Sequence, residues 1–193
     1  MAVELVKRGQ RVDLTKGRNV RKVNVALGWD VNRFDSGYDF DLDVSVFMCD
    51  ATGKVRQDVD FVFYNNLRHP SGAVEHTGDE RTGASQGDDE VIKVDFTRMP
   101  DYIEKLAFVV TIHEADLRRQ NFGQVSNAYV RVDNAETGEQ LLRFDLGEEF
   151  STETAVLVCE IYKYNGEWKF NAVGAGYTKG LAAFVQEYGL QVK

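Results

Sequence analysis

A chain of 193 residues, 43% hydrophobic and 28% charged, is long enough to bury a sizeable core, and we expect a single domain over residues 1–193. A net charge of −8 argues against a general nucleic-acid binder. No run has bilayer-spanning length and Met1-Ala2-Val3-Glu4-Leu5-Val6-Lys7-Arg8 has no apolar signal core, so a cytoplasmic protein is expected.

The chain opens on a basic pole. Residues 1–29 carry seven Lys/Arg against Glu4 and Asp13, which suits an acidic partner or membrane surface, or equally the charged outer faces of edge strands. Strand-like alternation begins with Val23, Val25 and Leu27. It continues through Phe40, Leu42, Val44, Val46 and Met48, then Val59, Phe61 and Phe63, then Ile92, Val94 and Phe96. Denser apolar runs follow at 106–112, 128–132, 141–146 and 154–164, and their lengths and β-branched and aromatic content favour strands. Cys49 and Cys159 lie inside such runs and read as buried, reduced thiols. Asn165-Gly166 is a strong hairpin signal between 156–164 and 168–173. Helical spacing is clear only in 178–188, where Leu181, Phe184, Val185 and Tyr188 share a face before Gly189. Shorter helical turns are expected at 97–104 and 115–120. Nine or ten strands with short turns and no βαβ alternation predict a mainly all-β fold: an antiparallel β-sandwich of two sheets, with few short helices including a C-terminal one. Residues 68–86, rich in Gly, Ser, Thr, His and Asp, read as one long loop of the kind that carries function.

The charge is unevenly spread. Residues 30–90 hold fourteen Asp/Glu and five Lys/Arg, a net of −9, whereas the other segments sum to +1. Such a block repels itself unless something positive occupies it, and a hard divalent cation is the leading candidate. Its candidate ligands are Asp30, then Asp39, Asp41 and Asp43, the turn amides Asn65 and Asn66, Asp79, and the run Gly87, Asp88, Asp89 and Glu90. All are hard oxygen donors, which suit calcium and disfavour zinc or copper. On an ideal strand Asp39, Asp41 and Asp43 would span about 13 Å, too far for a single ion. Either the segment curls inward or there are two ions, and we favour two neighbouring Ca2+ sites with Asp41 between them. A solvated acidic surface is the plain alternative. The EF-hand pattern fails, because Val44 stands where its loop glycine belongs.

Other chemistry is poorly supported. Leu117 stands where a helical zinc-protease motif starting at His113 would need its second His, and His69 and His76 have no Cys nearby. Gly174-Ala175-Gly176 before a helix reads as a strand-to-helix corner rather than a dinucleotide turn. Paired acids can serve a metal-dependent phosphoryl hydrolase, but no convincing Lys, His or Ser partner stands beside these. A calcium-bridged membrane adaptor is a further alternative, by architectural analogy alone.

Several stretches together carry a family resemblance: Leu27-Gly28-Trp29-Asp30, Asp39-Phe40-Asp41-Leu42-Asp43, Phe63-Tyr64-Asn65-Asn66-Leu67, His76-Thr77-Gly78-Asp79, Gly87-Asp88-Asp89-Glu90, Ile112-His113-Glu114-Ala115, Asn121-Phe122-Gly123-Gln124-Val125, and Gly176-Tyr177 with Gly180-Leu181-Ala182. Over essentially its whole length the chain resembles the TerD family of bacterial tellurium-resistance and general stress proteins. The resemblance implies a cytoplasmic β-sandwich without established catalysis. It implies calcium bound through Asp39, Asp41, Asp43, Asn65, Asn66, Asp79 and the 87–90 segment. It further implies work at the inner face of the membrane, peripherally associated, with a TerC-type integral membrane protein and other family members as partners and no nucleic acid. One departure bears on the affinity and number of ions. The family commonly carries Glu and Asp with extra Gly just before Gly-Asp-Asp-Glu, where this chain has Ala84-Ser85-Gln86.

Overall fold

The structure, a computed structural model, describes residues 4–31, 42–78, 88–147 and 150–191. Within these lie twelve strands: β1 (Glu4–Val6), β2 (Arg11–Asp13), β3 (Lys22–Val31), β4 (Leu42–Cys49), β5 (Phe61–Val62), β6 (Val74–His76), β7 (Glu90–Asp95), β8 (Lys105–Ile112), β9 (Val125–Asn134), β10 (Gln140–Asp145), β11 (Ala155–Tyr164) and β12 (Glu167–Tyr177). Two α-helices, α1 (Ala115–Arg118) and α2 (Gly180–Glu187), accompany them. The strands form two six-stranded sheets, ordered β1-β10-β9-β3-β7-β6 and β2-β12-β11-β8-β4-β5.

The alternating residues meet between the sheets. Val23, Val25 and Leu27 of β3, Ile92 and Val94 of β7, and Val130 and Val132 of β9 face Val44, Val46 and Met48 of β4 and Leu106, Phe108 and Val110 of β8 in one buried cluster. The second sheet is also covered on its outer face. There Phe47, Cys49, Ala107, Val109, Ala155 and Leu157 pack with Phe184 of α2. Phe47 stacks between Phe61 and Tyr188 with both ring centroids 4.5 Å away. A sheet buried on both faces needs near-continuous apolar strands, which explains the dense runs in β8 and β11.

The β11–β12 hairpin turns on Asn165 and Gly166 at φ 50° and 78°, the paired left-handed geometry that a two-residue turn requires and that Asn-Gly adopts readily. Two expectations need correction. The sandwich is not wholly antiparallel, because β1 adds to the edge of the first sheet parallel to β10, Glu4 opposite Leu142. Residues 68–86 are not one loop, because β6 pairs with β7 after a turn closed by the Gly72 amide on the His69 carbonyl. The expected turn near Thr97 is a 3-10 helix, Phe96–Arg98.

Both cysteines are free and buried. Burial pushes the Cys49 thiol up from 9.0 to about 12 and raises Cys159 well above its ordinary value. The thiolate is the nucleophile, so a thiol reagent at pH 8 should label neither cysteine in the native protein and both after denaturation. Rapid native labelling would contradict this packing. Because the folded state holds these protons more tightly, their contribution to stability is complete below the free-thiol pKa and is lost as the pH rises above it, for Cys49 through about 12.

Candidate metal centre

Strand ends gather the acidic segments at one end of the sandwich. Here β3 finishes at Val31, β4 begins at Leu42 opposite Ile112 of β8, and β7 begins at Glu90 opposite Leu27. The turn at Tyr64-Asn65 points the same way, since β5 runs antiparallel to β4 from Val62 opposite Val46. Of the predicted ligands, Asp39, Asp41, Asp79 and Gly87 lie outside the described residues. Asp30, Asp43, Asn65, Asn66, Asp88, Asp89 and Glu90 lie within them.

Three consecutive acids take three different directions. Asp88 goes to the outer face of the first sheet. Arg131 of β9 grips it bidentately, Nη1 to Oδ1 at 3.0 Å and Nη2 to Oδ2 at 2.7 Å, and the Tyr129 hydroxyl donates to Oδ1 at 2.5 Å. Asp89 is exposed. Its amide donates to the Leu27 carbonyl at 2.9 Å, and its Oδ2 accepts from the Trp29 amide at 2.9 Å. Glu90 turns inward, 7% exposed. Its Oε2 accepts from the Val44 amide of the opposite sheet at 2.9 Å and lies 3.2 Å from His76 Nε2.

The near side of segment 79–87 is held as well. Thr77 donates to the Val91 carbonyl through its amide at 3.2 Å and its hydroxyl at 2.8 Å. The Gly78 amide donates to His76 Nδ1 at 2.9 Å. An accepting Nδ1 leaves the ring proton on Nε2, so the hydrogen-bond pattern makes His76 a donor to Glu90. The described residues on either side, Thr77 and Gly78 before and Asp88 and Asp89 after, are therefore all held by the framework.

The remaining donors are differently engaged. Asp43 is half-buried opposite Thr111, in the strand phase of Phe47 and Cys49, the face turned toward α2. Asn65 is exposed at the tip of a turn closed by Phe63 and Asn66, whose amides each donate to the other's carbonyl. Asn66 spends its Nδ2 on the carbonyls of Phe61 at 2.8 Å and Val59 at 3.3 Å, so its oxygen is the atom it can offer a cation. Asp30 is exposed, and its Oδ2 accepts from Asn127 Nδ2 at 2.8 Å. Among the described residues no group of three or more His, Cys, Asp or Glu side chains converges to hold an ion. The donors present are carboxylate and amide oxygens. His76 has both nitrogens committed and both thiols lie in the core, so the chemistry fits a hard cation such as calcium rather than zinc.

The sequence reading missed the group that anchors Asp88. The Tyr129 ring lies on β3 where Gly28 has no side chain; a Cβ there would meet the ring at 2.4 Å. The Arg143 guanidinium sits 4.1 Å from the Tyr129 ring centre. Burial and the Asp88 carboxylate raise the tyrosine's pKa well above the usual phenol range. Tyr129, Arg131 and Asp133 alternate with buried Val130 and Val132, a period-two signal for a polar outer face that was open to reading. A second buried acid was also missed. Asp60, fully buried, lies 2.9 Å from His69 Nε2 and accepts from the Tyr102 hydroxyl at 2.8 Å.

Comparison with known proteins gives the family and the fold. A family model described as the TerD domain matches residues 1–188. The chain belongs to the TerD family. It is 55% identical to general stress protein 16U of Bacillus subtilis (strain 168) over the full length of both chains. It is 51% identical to the tellurium resistance protein TerD of Serratia marcescens, covering 98% of each. A solved structure of a homologue of telluride resistance protein TerD from Streptomyces coelicolor A3(2) shares the fold, with a TM-score of 0.68. It is 24% identical, and the match covers 90% of this chain and 100% of that one.

The anchoring of Asp88 in this TerD-family chain makes a specific prediction. Gly28→Ala must displace Tyr129, and should lower unfolding stability by about 1–3 kcal/mol in urea titration. An unchanged midpoint would contradict the close approach of ring and strand.

Proposed function

We propose that this protein is a calcium-binding, non-enzymatic stress-response protein associated with resistance to tellurite and other toxic stress, acting as a regulatory or scaffolding module. The observation that carries the calcium reading is the pinning of both ends of segment 79–87. It holds Asp89 against β3 and Glu90 beside the start of β4, both hard oxygen donors, at the end where the chain's negative charge is concentrated. Donors held in advance lose less freedom on binding. Membership in the TerD family and the names of relatives, one a tellurium-resistance protein and one a general stress protein, support the stress role. A non-enzymatic role is supported by His69 and His76, whose ring nitrogens are committed to framework partners.

The proposal includes a cytoplasmic location at the inner face of the membrane, with a TerC-type integral membrane protein and other family members as partners. No helix among the described residues is long and apolar enough to cross a membrane, so such an association would be peripheral if helices alone are considered. One observation favours the second reading, a calcium-bridged membrane adaptor. Leu117 of α1 is 80% exposed beyond the end of β8, at the same end as the acids. Calcium-dependent sedimentation with anionic vesicles, lost in Leu117→Ser, is what that reading requires.

The main reading predicts a thermal shift. Calcium at a hundredfold excess over its dissociation constant should add about 2.7 kcal/mol, and so raise Tm by roughly 5–10 °C for a chain of this size. Magnesium should not reproduce the shift. No calcium-specific rise would overturn the proposal.

A further inference from the structure

We infer that His76 is the positioning residue of this end: it locks Glu90 and Gly78, one on each side of segment 79–87, and thereby sets the affinity for calcium. The inference rests on the calcium reading above and assigns a role to a residue outside its ligand set. The imidazole is 5% exposed and uses both edges. Nδ1 accepts the Gly78 amide at 2.9 Å, and Nε2 faces Glu90 Oε2 at 3.2 Å. A rigid ring thus fixes the spacing of two points that the sequence separates by twelve residues.

Two features suit this role. The Val44 amide meets the same oxygen, Oε2, at 2.9 Å, so the pair of donors holds that oxygen in place and makes Oε1 the oxygen for a cation. The donor is also a neutral tautomer. A Lys or Arg in its place would hold Glu90 but cancel the charge that attracts the ion, whereas a neutral ring holds the carboxylate and keeps its charge. A histidine that merely braced the β6 edge would need neither feature. Loss of a hydrogen-bonding partner behind a metal ligand commonly costs about 10–100-fold in affinity.

The test is calcium titration calorimetry on the full chain, comparing wild type with His76→Ala, His76→Gln and His76→Asn, alongside melting of each in chelator. Gln returns a donor toward Glu90. Asn returns an acceptor for the Gly78 amide, as in an Asx turn. We expect Ala to weaken binding at least about tenfold, and Gln and Asn each to recover part of it, in an order that does not follow their melting temperatures in chelator. Hydrogen exchange at Gly78 should quicken in Ala and Gln but not in Asn. Binding by His76→Ala within about twofold of wild type would overturn the inference and leave the calcium reading intact. So would affinities that simply track chelated stability, since that is a bracing role only. Absence of binding by the wild type would instead remove the calcium reading, and this inference with it.

Discussion

A buried carboxylate ties the two sheets together at the acidic end. Strand β5 covers β4 only opposite Val46 and Phe47, so the Val44 amide lies past the end of that pairing and needs another acceptor. Glu90, reaching across from the first sheet, supplies it. A carboxylate this well shielded from water is costly unless it is hydrogen-bonded, and His76 adds a second partner. The backbone ladders place β7 beside β3, β6 beside β7 and β4 beside β8, and this contact joins the two sheets at the acidic end.

The same constraint sorts the acids. A net of −9 over residues 30–90 overstates the charge open to a ligand, because part of it is neutralised by the framework. Arg131 takes Asp88 and Arg56 takes Asp50, while Asp60 is buried in hydrogen bonds with His69 and Tyr102. Asp50 is further held well below the usual carboxylate range, first by the Thr52 hydroxyl and then by Arg56. These acids serve the fold. Asp89, exposed and oriented by the Trp29 amide, and Glu90, fixed through one oxygen, are the acids of this run on which the proposed calcium reading draws. Charge density alone does not separate the two classes; the partners on β9 and β6 do.

Much of the fold was legible because its signals are local. The alternation in β3 and β7, the Asn165-Gly166 turn and the apolar face of α2 each lie within a few residues of sequence. The parallel edge pair was not legible, because Glu4 meets Leu142 far along the chain and nothing near either residue announces the other. Strand β6 was hidden because three residues, Val74–His76, are too few to show a period. At the site, residue types were legible and directions were not. Asp88, Asp89 and Glu90 read as one acidic run, yet one faces Arg131, one the β3 backbone and one the space between the sheets. Gly28 shows why: its value to the site is an absent Cβ beneath Tyr129, a relation between two strands that neither strand's sequence contains.

The central claim is that this end holds calcium through its oriented carboxylates. The most direct test is calorimetric titration of chelator-stripped protein with calcium, beside an Asp41→Asn, Asp89→Asn double variant. Binding is expected at roughly micromolar concentration, with about two ions per chain, lost in the double variant and not reproduced by magnesium. Equal heats in wild type and variant, or none in either, would contradict the claim and leave the acids as a charged face of a metal-free protein.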